Sequence, residues 1–198
     1  QGTSAQPNSR LLRRLGNGRA SARPTLPAGG AFAALKQDGS VVTWGNSSYG
    51  GDSTFVASSL GSNVSRIFAS GSAFAAFKTD GSVVTWGDSL YGGDSSSVDF
   101  DGLGNDLTVT SVVENKGAYA AIRSDGSVVT WGQWQHGGDS TNASNVQAPV
   151  DFDGPTNDLK VTSIIPTLHC NGNGAMAAIR SDGSVVTWGH LNYGGDST

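Results

Sequence analysis

The 198-residue chain has a single cysteine, Cys170, and a single glutamate, Glu114. One thiol forms no disulfide within the chain, so the fold stands without a covalent staple. Charged residues make up 14% of the chain, against about 25% in an average domain, and Leu, Lys and Arg are scarce. That excludes long amphipathic or coiled-coil helices. No stretch approaches the roughly 20 apolar residues of a membrane-spanning helix. The 29 glycines follow no three-residue period, which excludes collagen. What remains is a turn-dense chain rich in Ser, Thr, Val and Gly. Its composition indicates an all-β fold, and its length one domain or at most two.

Charge is divided unevenly. Residues 1–30 hold Arg10, Arg13, Arg14, Arg19 and Arg23 and no acid, a net +5; the remainder holds 7 basic against 16 acidic residues, a net −9. The chain therefore reads as a basic arm over residues 1–27 and an acidic body over 28–198. The arm is rich in Ser, Ala, Gly and Pro and resembles a transit peptide or its remnant. It is not a secretory signal, because Arg13-Arg14 interrupt Leu11, Leu12 and Leu15. With Gln1 in first place, processing or an incomplete sequence is implied; the expected location is an organelle, a plastid being favoured, the alternative being cytoplasm or nucleus. Such a segment buries too little apolar surface to offset its own ordering. It is expected to lie along a partner, the alternative being that it folds back on the acidic body.

Self-comparison is the stronger signal. Four copies of one unit recur: AFAALKQDGSVVTWGNSSYGGDST (31–54), AFAAFKTDGSVVTWGDSLYGGDSS (73–96), AYAAIRSDGSVVTWGQWQHGGDST (118–141) and AMAAIRSDGSVVTWGHLNYGGDST (175–198). The octet DGSVVTWG starts unchanged at Asp38, Asp80, Asp125 and Asp182. Between octets lies a second run, VSRIFAS (64–70), LTVTSVV (107–113) and LKVTSII (159–165), so the units fall near 31–54, 64–96, 107–141 and 159–198, each with at least three strands. Asp-Gly between apolar runs predicts a two-residue hairpin turn with both residues at positive φ. That register pairs Leu35 with Val42 and Ala33 with Trp44. It puts Ala33, Leu35, Val42 and Trp44 on one face and Phe32, Ala34 and Val41 on the other. A sheet apolar on both faces must be covered on both, as stacked or radial blades achieve.

These residues resemble the repeats of the regulator of chromosome condensation family, a strand with isoleucine followed by A-L-x-x-D-G-x-V-x-x-W-G and a glycine-rich loop. In the second unit the match is Ile67, Ala76-Phe77, Asp80-Gly81, Val83, Trp86-Gly87 and Tyr91-Gly92. The resemblance covers residues 28–198 and implies a β-propeller. The family's strand histidine is replaced by Ala31, Ala73, Ala118 and Ala175, and its G-Q-L-G loop by Gly-Gly-Asp-Ser. Nothing carries over the nucleotide-exchange activity of the founding member. Family rings close with about seven blades and four are present, so a partial or open propeller is expected over a small closed ring. Its edge strands then need cover.

Several residues invite a functional reading. Asp52, Asp94, Asp139 and Asp196 recur in Gly-Gly-Asp-Ser; they suit either a calcium-binding row or, more simply, caps on their own turns. The tracts DFDGLGND (99–106) and DFDGPTND (151–158) resemble calcium loops but lack the acidic residue at position 12, Thr110 and Thr162 standing there. His136, His169 and His190 with Cys170 match no zinc spacing. His169 and Cys170, as neighbours on a strand, would point to opposite faces and make a poor nucleophile–base pair. Trp44, Trp86, Trp131 and Trp188 read as core. Trp134 sits in a variable loop and, with Tyr49, Tyr91 and Tyr193, is expected to form an exposed aromatic row.

The leading reading is a non-catalytic protein–protein interaction scaffold or accessory subunit. It would dock on a larger, possibly photosynthetic, assembly through the arm, the blade edges and the loops after each Trp-Gly, with no cofactor, metal or membrane span. Two alternatives stand beside it: nucleic-acid or chromatin association through the five arginines, which the acidic body opposes, and a carbohydrate- or calcium-binding repeat.

Overall fold

The computed structural model describes residues 29–102, 106–141, 150–154, 158–167 and 173–195. The arm with its five arginines, His169, Cys170 and Asp196 lie outside them.

Four small antiparallel sheets follow one another along the chain. The first has two strands, β1 (Ala31–Leu35) and β2 (Val41–Gly45). The others have three, in chain order: β3 (Val64–Ala69), β4 (Ala73–Lys78) and β5 (Val83–Gly87); β6 (Val109–Glu114), β7 (Ala118–Arg123) and β8 (Val128–Gly132); β9 (Val161–Pro166), β10 (Ala175–Arg180) and β11 (Val185–Gly189). The array is all-β and forms a partial propeller. Among the described residues no helix is long and apolar enough to cross a membrane.

The hairpins correct the expected register by one residue. Leu35 pairs with Val41, Ala33 with Thr43 and Phe32 with Trp44, because the loop holds three residues rather than two. The Lys36 amide donates to the Ser40 carbonyl at 2.8 Å and the Gly39 amide to the Lys36 carbonyl at 3.1 Å. Only Gly39 is left-handed, at φ 77°. The cause lies in Asp38: its carboxylate accepts from the Ser40 amide (3.0 Å) and hydroxyl (2.6 Å), which fixes Asp38 at negative φ and leaves the positive angle to glycine, as in a three-residue loop. Ser82, Ser127 and Ser184 donate in the same way to Asp80, Asp125 and Asp182. A one-residue slip exchanges the faces of a strand. Phe32, Ala34, Val42 and Trp44 therefore share one face, and Ala31, Ala33, Leu35, Val41 and Thr43 the other.

That exchange places the aromatics together. Phe32 stacks on Trp44 and Phe74 on Trp86, each with centroids 5.2 Å apart, and Tyr119 on Trp131 at 5.1 Å. Each cluster of buried residues straddles two sheets. Ala31 and Ala33 pack with Phe74, Ala76 and Trp86; Phe68 and Ala75 with Tyr119, Ala121 and Trp131; Ala118, Ala120 and Ile122 with Met176, Ala178 and Trp188. The alanines let the sheets approach while the ring, or Met176, fills the gap between them. The core thus lies at the junctions, three of them for four units. Trp44 is the correction to the expected tryptophan core. It is 47% exposed, where Trp86, Trp131 and Trp188 are buried, because no described unit packs on its face.

Hydrogen bonds stitch the junctions. The glycine carbonyl of the first three Asp-Gly hairpins accepts the amide that opens the next sheet: Gly39 from Val64, Gly81 from Val109 and Gly126 from Val161, at 3.0 to 3.2 Å. Each of those opening strands carries a bulge. The Ser65, Thr110 and Thr162 hydroxyls there donate to the carbonyls of Phe77, Ile122 and Ile179, so the bulge is hydrogen-bonded in place.

Candidate functional site

After each Trp-Gly the chain makes a one-turn 3-10 helix: Ser47–Tyr49, Ser89–Tyr91, Trp134–His136 and Leu191–Tyr193. In three of the four the side chain before the turn caps it, Gln133 being the exception. The carboxamide of Asn46 accepts from the Ser48 amide, the carboxylate of Asp88 from the Leu90 amide, and the ring Nδ1 of His190 from the Asn192 amide at 3.2 Å. His190 is thus a cap, which explains a histidine where two other units carry Asn and Asp. Each turn ends on a left-handed glycine, Gly50, Gly92, Gly137 or Gly194.

The Asp of the Gly-Gly-Asp-Ser corner is also a structural cap. Asp52 accepts from the Thr54 amide and hydroxyl, Asp94 from the Ser96 amide, and Asp139 from the Thr141 amide and hydroxyl. Hydrogen bonds from the Thr54 hydroxyl and then its amide hold the Asp52 carboxyl below its usual range. The corner serine hooks back to the octet: Thr43–Ser53, Thr85–Ser95 and Thr130–Ser140 lie 2.9 to 3.0 Å apart between hydroxyls. The threonine of DGSVVTWG and the serine of Gly-Gly-Asp-Ser therefore form one device, a link that sequence reasoning missed.

The two DFDG tracts fold as turns. Asp99 accepts the Gly102 amide and Asp151 the Gly154 amide, both at 2.7 Å. Phe100 and Phe152 set their ring edges against Trp131 and Trp188. Among the described residues no group of three His, Cys, Asp or Glu is placed to hold a metal ion. His136 is buried where other units carry tyrosine, and its carbonyl accepts from the Asn115 carboxamide at 2.8 Å.

The aromatic row is only partly displayed. Trp134 and Tyr193 are exposed, whereas Tyr49 and Tyr91 are half-buried; Tyr49 packs on the first junction. Reasoning from the sequence missed the most exposed apolar side chains, Phe55 at 99% and Leu90 at 71%. Both were legible by alignment of the copies. Phe55 stands where the second unit has Ser97, and Leu90 where the others have Ser48, Gln135 and Asn192. Leu191, also exposed, stands where the first two units have Ser47 and Ser89. A half-buried carboxyl was missed too. Burial raises the Glu114 carboxyl to about 7, with the charge of Arg66 on the preceding sheet opposing.

The arrangement of the sheets is similar to that of solved structures. A crystal structure of human WBSCR16 matches with a TM-score of 0.52 at 19% identity, over 87% of this chain and 49% of that one. Prp20p from Saccharomyces cerevisiae, described with its binding to Gsp1p and histones, matches with a TM-score of 0.52 at 17% identity, over 87% of this chain and 47% of that one. The same protein, as yeast RCC1 (Prp20) bound to Kap60, matches with a TM-score of 0.50 at 16% identity, over 86% and 44%. The fold is that of RCC1 propeller repeats. The RCC1-like array here spans about half the length of the propellers it matches. No protein-family model and no curated protein matches the chain. In this chain the octets are identical and the residues after each Trp-Gly vary, a fixed frame that presents variable loops.

Proposed function

We propose that this chain is a non-catalytic interaction module that docks a protein partner through the tips of its 3-10 turns, with the basic arm as a second contact. One observation carries the reading. The polar side chains that recur in every unit are spent on the frame, whereas Leu90, Trp134 and Leu191 stand exposed on equivalent 3-10 turns. Exposed apolar residues on a repeated frame are the composition of a recognition surface, tryptophan above all. Phe55 extends that surface on the first unit. The yeast RCC1 structures support the class of partner, since one is described with its binding to Gsp1p and histones and the other is bound to Kap60, all of them proteins.

The test is affinity capture from source-organism extract with the full chain, with L90D/W134D and with a chain lacking residues 1–27. A specific protein lost with the double variant, while its melting temperature holds, supports the reading; an unchanged protein set overturns it. Duplex DNA titrated in rising salt addresses the arginine arm separately, since phosphate binding there weakens steeply with salt. The organellar address, a plastid and its photosynthetic assemblies, belongs to the same proposal and rests on the composition of the arm. A fluorescent fusion of residues 1–27 tests it by where it accumulates.

A further inference from the structure

Cations are sorted between the two ends of the sheets. Seven lysines and arginines fall among the described residues. Lys36, Lys78, Arg123 and Arg180 stand at the mouths of the Asp-Gly hairpins, where their amides donate to the Ser40, Ser82, Ser127 and Ser184 carbonyls. Lys160 lies at that end too, its carbonyl accepting the Ser181 amide, and Arg66 pairs with Phe77, next to Lys78. Only Lys116, in the turn between β6 and β7, lies at the other end, where Ala118 pairs with Gly132 and the strand runs on into its 3-10 turn.

That other end carries carboxylates instead. Each 3-10 turn closes on the corner that follows it, the Gly51, Gly93 and Gly138 amides donating to the Asn46, Asp88 and Gln133 carbonyls at 2.8 to 3.1 Å. Asp52, Asp94 and Asp139 of the corners are thereby held at the turn end, and Asp88 caps the second turn itself. Asp52 and Asp94 are exposed. Hydrogen bonds from the Ser96 amide and then its hydroxyl hold the Asp94 carboxyl below its usual range, as Thr54 holds Asp52. Among the described residues, four aspartates thus stand against one lysine at the end that displays Leu90 and Trp134.

We propose that the segment of the partner protein seated on the 3-10 turns is amphipathic and cationic, its apolar side chains on Leu90 and Trp134 and its lysines or arginines against Asp52, Asp88 and Asp94. The inference rests on the docking reading and names the chemistry of its partner. Exposed apolar residues alone accept any apolar surface. The carboxylates choose among them, since they repel an acidic segment or a phosphate backbone and draw a cationic one. Trp134 adds to that choice, because a tryptophan face attracts ammonium and guanidinium groups. The hairpin end, where lysines and arginines alternate with aspartates, makes no such selection.

Selection from a random-peptide display library on the full chain tests it. Asp→Asn is the informative change, because a carboxamide keeps the capping oxygen, as Asn46 does at the position of Asp88. D52N/D88N/D94N removes three charges from the turn end, and D38N/D80N/D182N removes three from the hairpin end. The selected pool is expected to carry Lys and Arg beside Leu, Phe or Trp, and to lose binding to L90D/W134D. It should bind D52N/D88N/D94N about tenfold more weakly at low salt and D38N/D80N/D182N as it binds wild type. If L90D/W134D melts early, L90S/W134S replaces it, using the serines that the first unit carries at both positions. A pool that is lost with L90D/W134D but lacks Lys and Arg, or ignores D52N/D88N/D94N, overturns the cationic partner and leaves the docking reading standing. A pool that ignores L90D/W134D overturns both. Equal weakening by the two charge variants, or a full chain that selects no peptide, also overturns the proposal.

Discussion

The octet DGSVVTWG stands at four places, and its tryptophan meets two different fates. In the second, third and fourth units the indole is buried between sheets; in the first it lies open at 47% exposure. The backbone, the hairpin and the stacked ring at 5.2 Å are the same in the first unit as in the second. What differs, among the described residues, is a third strand and a preceding unit packed on that face. A unit of this array therefore has no core of its own, and stability resides in nearest-neighbour junctions, as expected of repeat proteins.

The largest expected effect comes from striking the same residue on both sides of that contrast. Trp188→Ala empties a closed junction and is expected to destabilise the fold by about 3–5 kcal/mol. Trp44→Ala is expected to lower it by about 1 kcal/mol or less, as for an exposed site. Urea unfolding of dilute protein measures both, and equal losses would break the comparison. The glycine corner sharpens it from the other side. Gly50→Ala and Gly194→Ala share the strain of φ near 90°, about 1 kcal/mol, but at Gly50 the new methyl also meets the Phe74 ring at 2.7 Å. Overpacking adds about 1–3 kcal/mol there and nothing at Gly194. The two midpoints should differ by that increment.

Periodicity made the units, their order and the need for cover on both faces legible, because four copies average out local noise. The register was not. Asp-Gly alone signals a two-residue turn, and the third loop residue follows from the Asp38 carboxylate binding Ser40, two local hydrogen bonds that compete with that signal. The slip moved Trp44 from pairing with Ala33 to pairing with Phe32 and so concealed the aromatic stacks. The caps at Asp52, Asp94 and Asp139 were legible because side-chain capping is local. Burial of Glu114 was not, since it depends on the approach of the sheet carrying Arg66.

Glu114 distinguishes the central junction from the outer two, where Ala69 and Pro166 take its place. Its carboxyl is raised from 4.5 to about 7 by burial. A group raised in the fold adds stability below its unfolded value, and that stability is lost as pH rises through the folded value. The wild type should therefore weaken between about pH 4.5 and 7. Glu114→Gln should flatten that slope and unfold at higher urea than wild type at pH 8. A tenfold change in proton affinity corresponds to about 1.4 kcal/mol; with solvent reaching this half-buried side chain, a gain of about 1–2 kcal/mol is expected. An unchanged slope would place the titration elsewhere.

The smallest effect concerns how the central junction differs from the first. Tyr119 occupies the position of Phe74, and its buried hydroxyl donates to the Ala73 carbonyl at 2.8 Å and accepts the Ser70 amide at 2.9 Å. The first junction has no such bond, because Phe74 has no hydroxyl. Tyr119→Phe keeps the ring and its stack on Trp131, and the Ser70 amide retains the Ala73 carbonyl as an acceptor at 2.9 Å. No donor is stranded, so the loss should be about 1 kcal/mol, the net worth of one hydrogen bond. Amide exchange at Ser70 should quicken while exchange at Asn46 in the first junction stays the same. If both quicken together, the junctions unfold as one body and the nearest-neighbour picture drawn from Trp44 and Trp86 fails.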